Sequence, residues 1–121
     1  MGYELHITRA GEWLDADQHP ITLAEWESFA EAHPKLTQDG SVGWKDIGTQ
    51  AVYSFTCEDG SQAWLSWRDD HVYVWGEFRD GVAALAVLAA ELHARLVGDD
   101  EEEYLPDGSC ARWTEPRAPV T

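Results

Sequence analysis

Three β-rich runs that follow one another at short intervals constrain the fold of this chain most. They cover residues 50–57, 62–68 and 71–78. The segments that join them, 58–61 and Asp69-Asp70, have lengths typical of hairpin connections. The runs therefore predict an antiparallel meander, although Asp-Asp suits a type I′ turn less well than Asp-Gly does.

Apolar and polar residues alternate over residues 3–9, which predicts a half-buried strand. Thr22 and Glu25 have the spacing of a capping box, so a helix is expected over residues 23–32. The Ala- and Leu-rich run that begins at Val82 predicts a second helix that ends near Val97. Its apolar stripe is Leu85, Leu88, Leu92 and Leu96.

The rest of the chain carries turn chemistry and charge. We expect irregular segments over 10–20 and 35–48, a solvated charge block over 99–103, a short edge strand at 110–113 and a frayed tail over 115–121.

The predicted fold is one α+β domain over residues 1–114. Its order is β-α-β-β-β-α, and its antiparallel sheet of four to five strands carries both helices on one face. The pattern does not decide whether the first strand pairs centrally, or in which direction.

Charge narrows the classes of partner. The formal net charge is −15, from 8 basic and 23 acidic residues. A negative field repels nucleic-acid backbones and anionic lipids, so we expect neither direct nucleic-acid binding nor membrane binding, and a basic protein is the favoured partner. The longest apolar-rich run, 82–92, is far shorter than the roughly 20 residues needed to cross a bilayer, and no signal peptide is recognised. A cytoplasmic location is expected.

No motif predicts catalysis or a cofactor. A His/carboxylate site built from His6, His71 and Glu77 is conceivable, but metal-ligand spacing is absent and a structural histidine is the simpler interpretation. We therefore expect no catalytic residue, no metal and no cofactor. Cys57 and Cys110 are expected to stay reduced in the cytoplasm.

The tryptophans carry more information than the polar residues. Seven Trp exceed the usual need of a core this small, so some are expected near the surface. Trp64 and Trp67 point to opposite faces, and either one can join Tyr73 and Trp75 on an aromatic face. The candidate partner-binding residues are Asp69, Asp70, Tyr73, Trp75, Trp64, Trp67 and His6. Two interpretations stay open, since this face binds a partner or is covered by Trp13, Trp44 and Trp113.

The segment 2–9 reads Gly-Tyr-Glu-Leu-His-Ile-Thr-Arg and is followed by Trp13 and by Pro20-Ile-Thr-Leu-Ala-Glu-Trp26. This opening resembles a set of small bacterial hypothetical proteins over about the first quarter of the chain. The resemblance implies a soluble bacterial α+β domain and carries over no catalytic residues.

Three functions are compatible with these patterns. The first is an acidic interaction module that binds a basic protein, as an immunity-type inhibitor does. The second is a small enzyme or small-molecule-binding protein that uses the aromatic face, and the third is an acidic mimic of a nucleic acid. The acidic charge itself serves either solubility or the steering of a partner.

Overall fold

The fold is known from a computed structural model, which describes residues 4–9, 19–46, 48–57, 60–76, 81–98, 102–107 and 110–112. The elements in this part of the chain are β1 (Leu5–Thr8), α1 (Leu23–Ala32), β2 (Leu36–Trp44), β3 (Gly48–Thr56), β4 (Gln62–Arg68), β5 (His71–Gly76), α2 (Val82–Glu91), β6 (Arg95–Gly98), β7 (Glu102–Tyr104) and β8 (Cys110–Arg112). The α+β class is confirmed.

All described strands belong to one antiparallel sheet of eight strands, in the order β2-β3-β4-β5-β1-β6-β7-β8. β1 lies inside the sheet, between β5 and β6. Leu5 of β1 stands opposite Val74 on one side and Gly98 on the other. The sequence left the pairing of the first strand open, and in the structure this strand is central and antiparallel to both neighbours.

One face of the sheet carries the hydrophobic core. Leu5 and Ile7 of β1 point to this face, and the buried residues of both helices pack into the same cluster. The helical members are Trp26, Ala30, Leu85, Ala86, Leu88 and Ala89. We call this side the helix face and the opposite side the second face.

The sheet is larger than the sequence predicted, and the order of elements differs, because three strands were not recognised. Residues 36–44 were expected to be irregular, since Asp39-Gly40-Ser41 has turn chemistry. In the structure these residues form a β-bulge within β2. The pairing register shifts between Gln38 and Ser41, and Gly40 has a φ of 91°.

The second helix is shorter than predicted, and its expected end near Val97 is wrong. α2 ends with a Schellman motif, in which His93 N–H donates to Ala90 O and Ala94 N–H donates to Ala89 O. His93 occupies the left-handed position with a φ of 58°. The sequence predicted a later end because glycine, the usual residue at the left-handed position, first occurs after α2 at Gly98.

The charge block is solvated only in part. Glu102 and Glu103 belong to β7. The Glu103 side chain is only 16% exposed, and its Oε1 is 3.7 Å from Nη1 of Arg95. Residues 99–101 and the predicted tail 115–121 lie outside the described residues. The edge strand expected at 110–113 is present as β8.

Two further expectations concern the cysteines and membrane-spanning segments. Cys57 is a buried thiol, whereas the side chain of Cys110 lies outside the described part of the chain. Among the described residues, no helix is long and apolar enough to span a membrane.

The left-handed His93 leads to a prediction about stability. Glycine adopts this conformation without the clash of a Cβ atom, so His93→Gly should raise the free energy of unfolding by about 0.5–1 kcal/mol. His93→Ala removes the same imidazole but keeps the Cβ atom, and it should give no gain. Urea denaturation of the three proteins tests this, and equal stabilities for the glycine and alanine variants would contradict it.

Candidate functional site

The β4–β5 hairpin positions the aromatic residues of the second face. Its two-residue turn holds Asp69 and Asp70 at φ values of 55° and 70°, as a type I′ turn requires. This turn sets Arg68 opposite His71 and, farther along, Trp64 opposite Trp75. Among the described residues, the aromatic surface of the second face therefore consists of Trp64, Tyr73 and Trp75, all half-buried.

Trp67 lies on the helix face. Its Nε1–H donates to Ile21 O at 2.7 Å, and its ring packs against the hydrophobic core. Of the two tryptophans that the sequence offered, only Trp64 shares a face with Trp75. Trp13 and Trp113, as well as the side chain of Trp44, lie outside the described residues.

The Trp64 indole stretches across the sheet. Its Nε1–H donates to Asp39 Oδ2 of β2 at 3.2 Å, although β3 lies between β2 and β4. The small side chain of Ser54 is the cross-strand neighbour that the ring passes. At the other side of the ring, its Cε3 atom is 2.9 Å from where a Cβ atom would stand on Gly76.

A shallow depression lies beside this indole. Gly60, Ser61, Gln62 and Trp64 line it, and its volume is about 400 Å³. The depression and the Asp39 carboxylate therefore both adjoin the same aromatic side chain.

Asp69 and Asp70 lie at the far end of the hairpin from the tryptophan pair. Five residue steps along the strands separate the two places, which is about 17 Å. Asp69 is engaged there by Arg68 at 3.2 Å, and Arg68 also forms two 3.0 Å hydrogen bonds with Asp46. In the described part of the chain, the carboxylate that contacts the aromatic surface is Asp39, which the sequence analysis did not single out.

His6 and His71 meet at the centre of the second face. His6 Nδ1 is 3.3 Å from His71 Nε2, and His71 Nδ1 is 3.2 Å from Asp69 O. A carbonyl oxygen only accepts, so His71 donates from Nδ1 and its neutral Nε2 accepts from His6 Nδ1–H. Tyr73 packs against both rings, with centroid distances of 5.0 and 4.7 Å.

These histidines form a buried polar layer on the second face. His6 and His71 are 1% and 2% exposed, and Thr8 and Ser66 are fully buried beside them. Burial lowers the pKa of His71 to about 4 from its usual 6.5. A histidine with that pKa is neutral at physiological pH, so the pair acts here as a hydrogen-bonded structural unit.

Metal binding finds little support in the described part of the chain. His6 and His71 bring two ring nitrogens together, but no group of three His, Cys, Asp or Glu residues there is arranged to hold a metal ion. Glu77, the carboxylate considered with these histidines, lies outside the described residues.

A second histidine contact joins the two helices. His33 Nε2 is 2.8 Å from Glu91 Oε1, and Lys35 N–H donates to His33 Nδ1 at 3.1 Å. Since Nδ1 accepts, Nε2 carries the proton and donates to the carboxylate. Nε2 thus links the end of α1 to the end of α2, while Nδ1 is held by the local turn.

Comparisons of the chain with protein-family models, with curated proteins and with solved structures found no match. The resemblance of residues 2–26 to small bacterial proteins stays a prediction. The functional argument therefore depends on the geometry of the second face.

The buried His71 predicts how stability depends on pH. The unfolded chain titrates this histidine near pH 6.5 and the folded chain near pH 4, so the unfolded state binds more protons between these values. The His71 contribution to the free energy of unfolding is complete above pH 6.5. It should fall by up to about 3 kcal/mol as the pH drops to 4.

Denaturation midpoints from pH 7 to pH 4 measure this loss. His71→Asn keeps a donor near Nδ1 and should flatten the profile, whereas the same change at the exposed His19 should leave it unaltered. Parallel profiles for the wild type and His71→Asn would contradict the assignment.

Proposed function

We propose that this protein is an acidic interaction module that binds a basic protein through the aromatic surface, and that an immunity-type inhibitor is its specific form. The observation that carries the proposal is the placement of Trp64 and Trp75. Both are half-buried and stand opposite each other on the face that neither helix covers. Half-exposed tryptophans are typical anchors at the centre of protein interfaces.

The charge of the chain supports a basic partner. A net charge of −15 gives a field that accelerates the approach of a cationic protein. Carboxylates occur at both ends of the hairpin region, with Asp39 at Trp64 and with Asp46 and Asp69 around Arg68. The same field disfavours direct contact with nucleic acids and anionic membranes, and we place the module in the cytoplasm.

The hairpin turn provides a second line of support. Two successive non-glycine residues adopt the left-handed conformation at Asp69 and Asp70, where Asn-Gly would be less strained. Strain that persists in a turn is often retained for the chemistry of its side chains. Asp69 is exposed and Asp70 half-buried at this turn, and two carboxylates there fit the encounter with a basic surface.

The proposal predicts separable kinetic effects. The wild-type protein, immobilised as bait, should retain a basic protein from a lysate of its host. Asp69→Asn with Asp70→Asn should slow association and flatten its dependence on salt, because these carboxylates act during encounter. Trp75→Ala should instead accelerate dissociation about thirtyfold, which is about 2 kcal/mol for an anchor residue.

The chain offers a matched control for charge. Glu27 and Glu31 belong to α1 and therefore lie on the helix side, where burial and then their charges raise the pKa of Tyr53. Glu27→Gln with Glu31→Gln removes two charges from the helix side. It should slow association less than Asp69→Asn with Asp70→Asn does. Circular dichroism verifies that each variant folds. The proposal fails if no basic protein is retained, or if the retained one dissociates equally fast from wild type and Trp75→Ala.

A further inference from the structure

We infer that Trp64 and Asp39 form a receptor for one arginine side chain of the partner. This inference rests on the proposed function and specifies which chemical group the surface recognises. The two residues combine an aromatic face, a carboxylate and an adjoining depression, which are the three features that a guanidinium group needs.

The hydrogen bond between Trp64 and Asp39 fixes the geometry of the receptor. The indole Nε1–H donates to Oδ2 of Asp39, so the ring extends across the sheet with its edge against the carboxylate. A carboxylate has about four lone-pair positions on two oxygens, and this bond uses one of them. The carboxylate therefore lies at the edge of the ring, where the N–H groups of a guanidinium stacked on the indole can extend toward it.

The depression provides the space for such a cation. It has a volume of about 400 Å³ and is bounded by Gly60, Ser61 and Gln62 as well as by Trp64. Gly76 keeps the other side of the ring close to the backbone, since a Cβ atom there would lie 2.9 Å from Trp64 and 2.6 Å from Gln62 O. The indole therefore lies close to the backbone of the sheet, beside the depression.

Arginine fits this receptor better than lysine does. Its guanidinium group is planar, stacks on an aromatic ring and keeps several N–H donors for a carboxylate at the same time. An ammonium group offers a point charge without the stacking surface. The neutral urea group of citrulline has nearly the shape of guanidinium, so it separates charge from shape.

The test uses three blocked tripeptides of identical sequence with arginine, lysine or citrulline between two glycines. Each tryptophan gives one indole N–H signal in a spectrum of the ¹⁵N-labelled protein, and Trp64→Phe identifies the signal of Trp64. We expect the arginine peptide to shift that signal in a saturable manner. Its affinity should exceed that of the lysine and citrulline peptides by about fivefold or more.

Two charge-matched variants separate the receptor from the general field. Asp39→Asn keeps an acceptor for the indole N–H but should weaken arginine binding about fivefold. Glu31→Gln removes an equal charge from an exposed side chain of α1, on the opposite face of the sheet, and should leave the affinity unchanged. Equal weakening by both variants, equal binding of arginine and citrulline, or a shift confined to other tryptophans would overturn the inference. Equal binding of lysine would overturn the choice of arginine.

The outcomes also distinguish this inference from the proposed function. A basic protein that depends on Trp75 but is indifferent to Asp39→Asn would overturn the receptor and leave the interaction module standing. An arginine-specific shift of Trp64 in a protein that retains no basic protein would support the receptor and overturn the interaction module.

Discussion

The guanidinium group of Arg9 fixes the layout on which the rest of the structure depends. Its five N–H groups are all used, in bonds to both Glu25 oxygens, to Pro20 O and twice to Leu92 O. Arg9 directly follows β1, Glu25 belongs to the capping box of α1 with Thr22, and Leu92 caps α2. One side chain thus ties the start of one helix and the end of the other to a central strand. Both helices are held on one face, and the second face is left to the aromatic residues.

Local signals in the sequence predicted the parts of the fold that depend on local chemistry. The capping box placed α1 at Leu23–Ala32, and turn lengths placed the β3–β4–β5 meander. The missed strands depend on context instead. β2 has a bulge at Gly40 that resembles a turn in sequence, and β6 follows a helix stop made by histidine. In β7, Glu103 pairs with Arg95 and Glu102 accepts a hydrogen bond from Tyr104. A run of acidic residues in the sequence does not by itself predict such a strand.

The candidate site was predictable in its aromatic part only. The two-residue turn at Asp69-Asp70 sets the register, so the choice of Trp64 over Trp67 as the partner of Trp75 could have been read from the hairpin. The contact of Asp39 with Trp64 could not be predicted. Asp39 belongs to β2, which was not recognised as a strand, and it reaches Trp64 across the intervening strand β3. The contact of His6 with His71 joins residues 65 positions apart and likewise required the central pairing of β1.

The central claim is that the two faces divide their roles, with the helix face maintaining the fold and the second face binding a basic partner. Oxidative footprinting of the complex by hydroxyl radicals tests it directly, because the reaction reports on individual tryptophan and tyrosine side chains. The account predicts slower oxidation of Trp64, Tyr73 and Trp75 when the partner is bound, with Trp67 and Trp26 unchanged. Protection of Phe29 and Trp67, with Trp64 and Trp75 still reacting at their unbound rates, would contradict it.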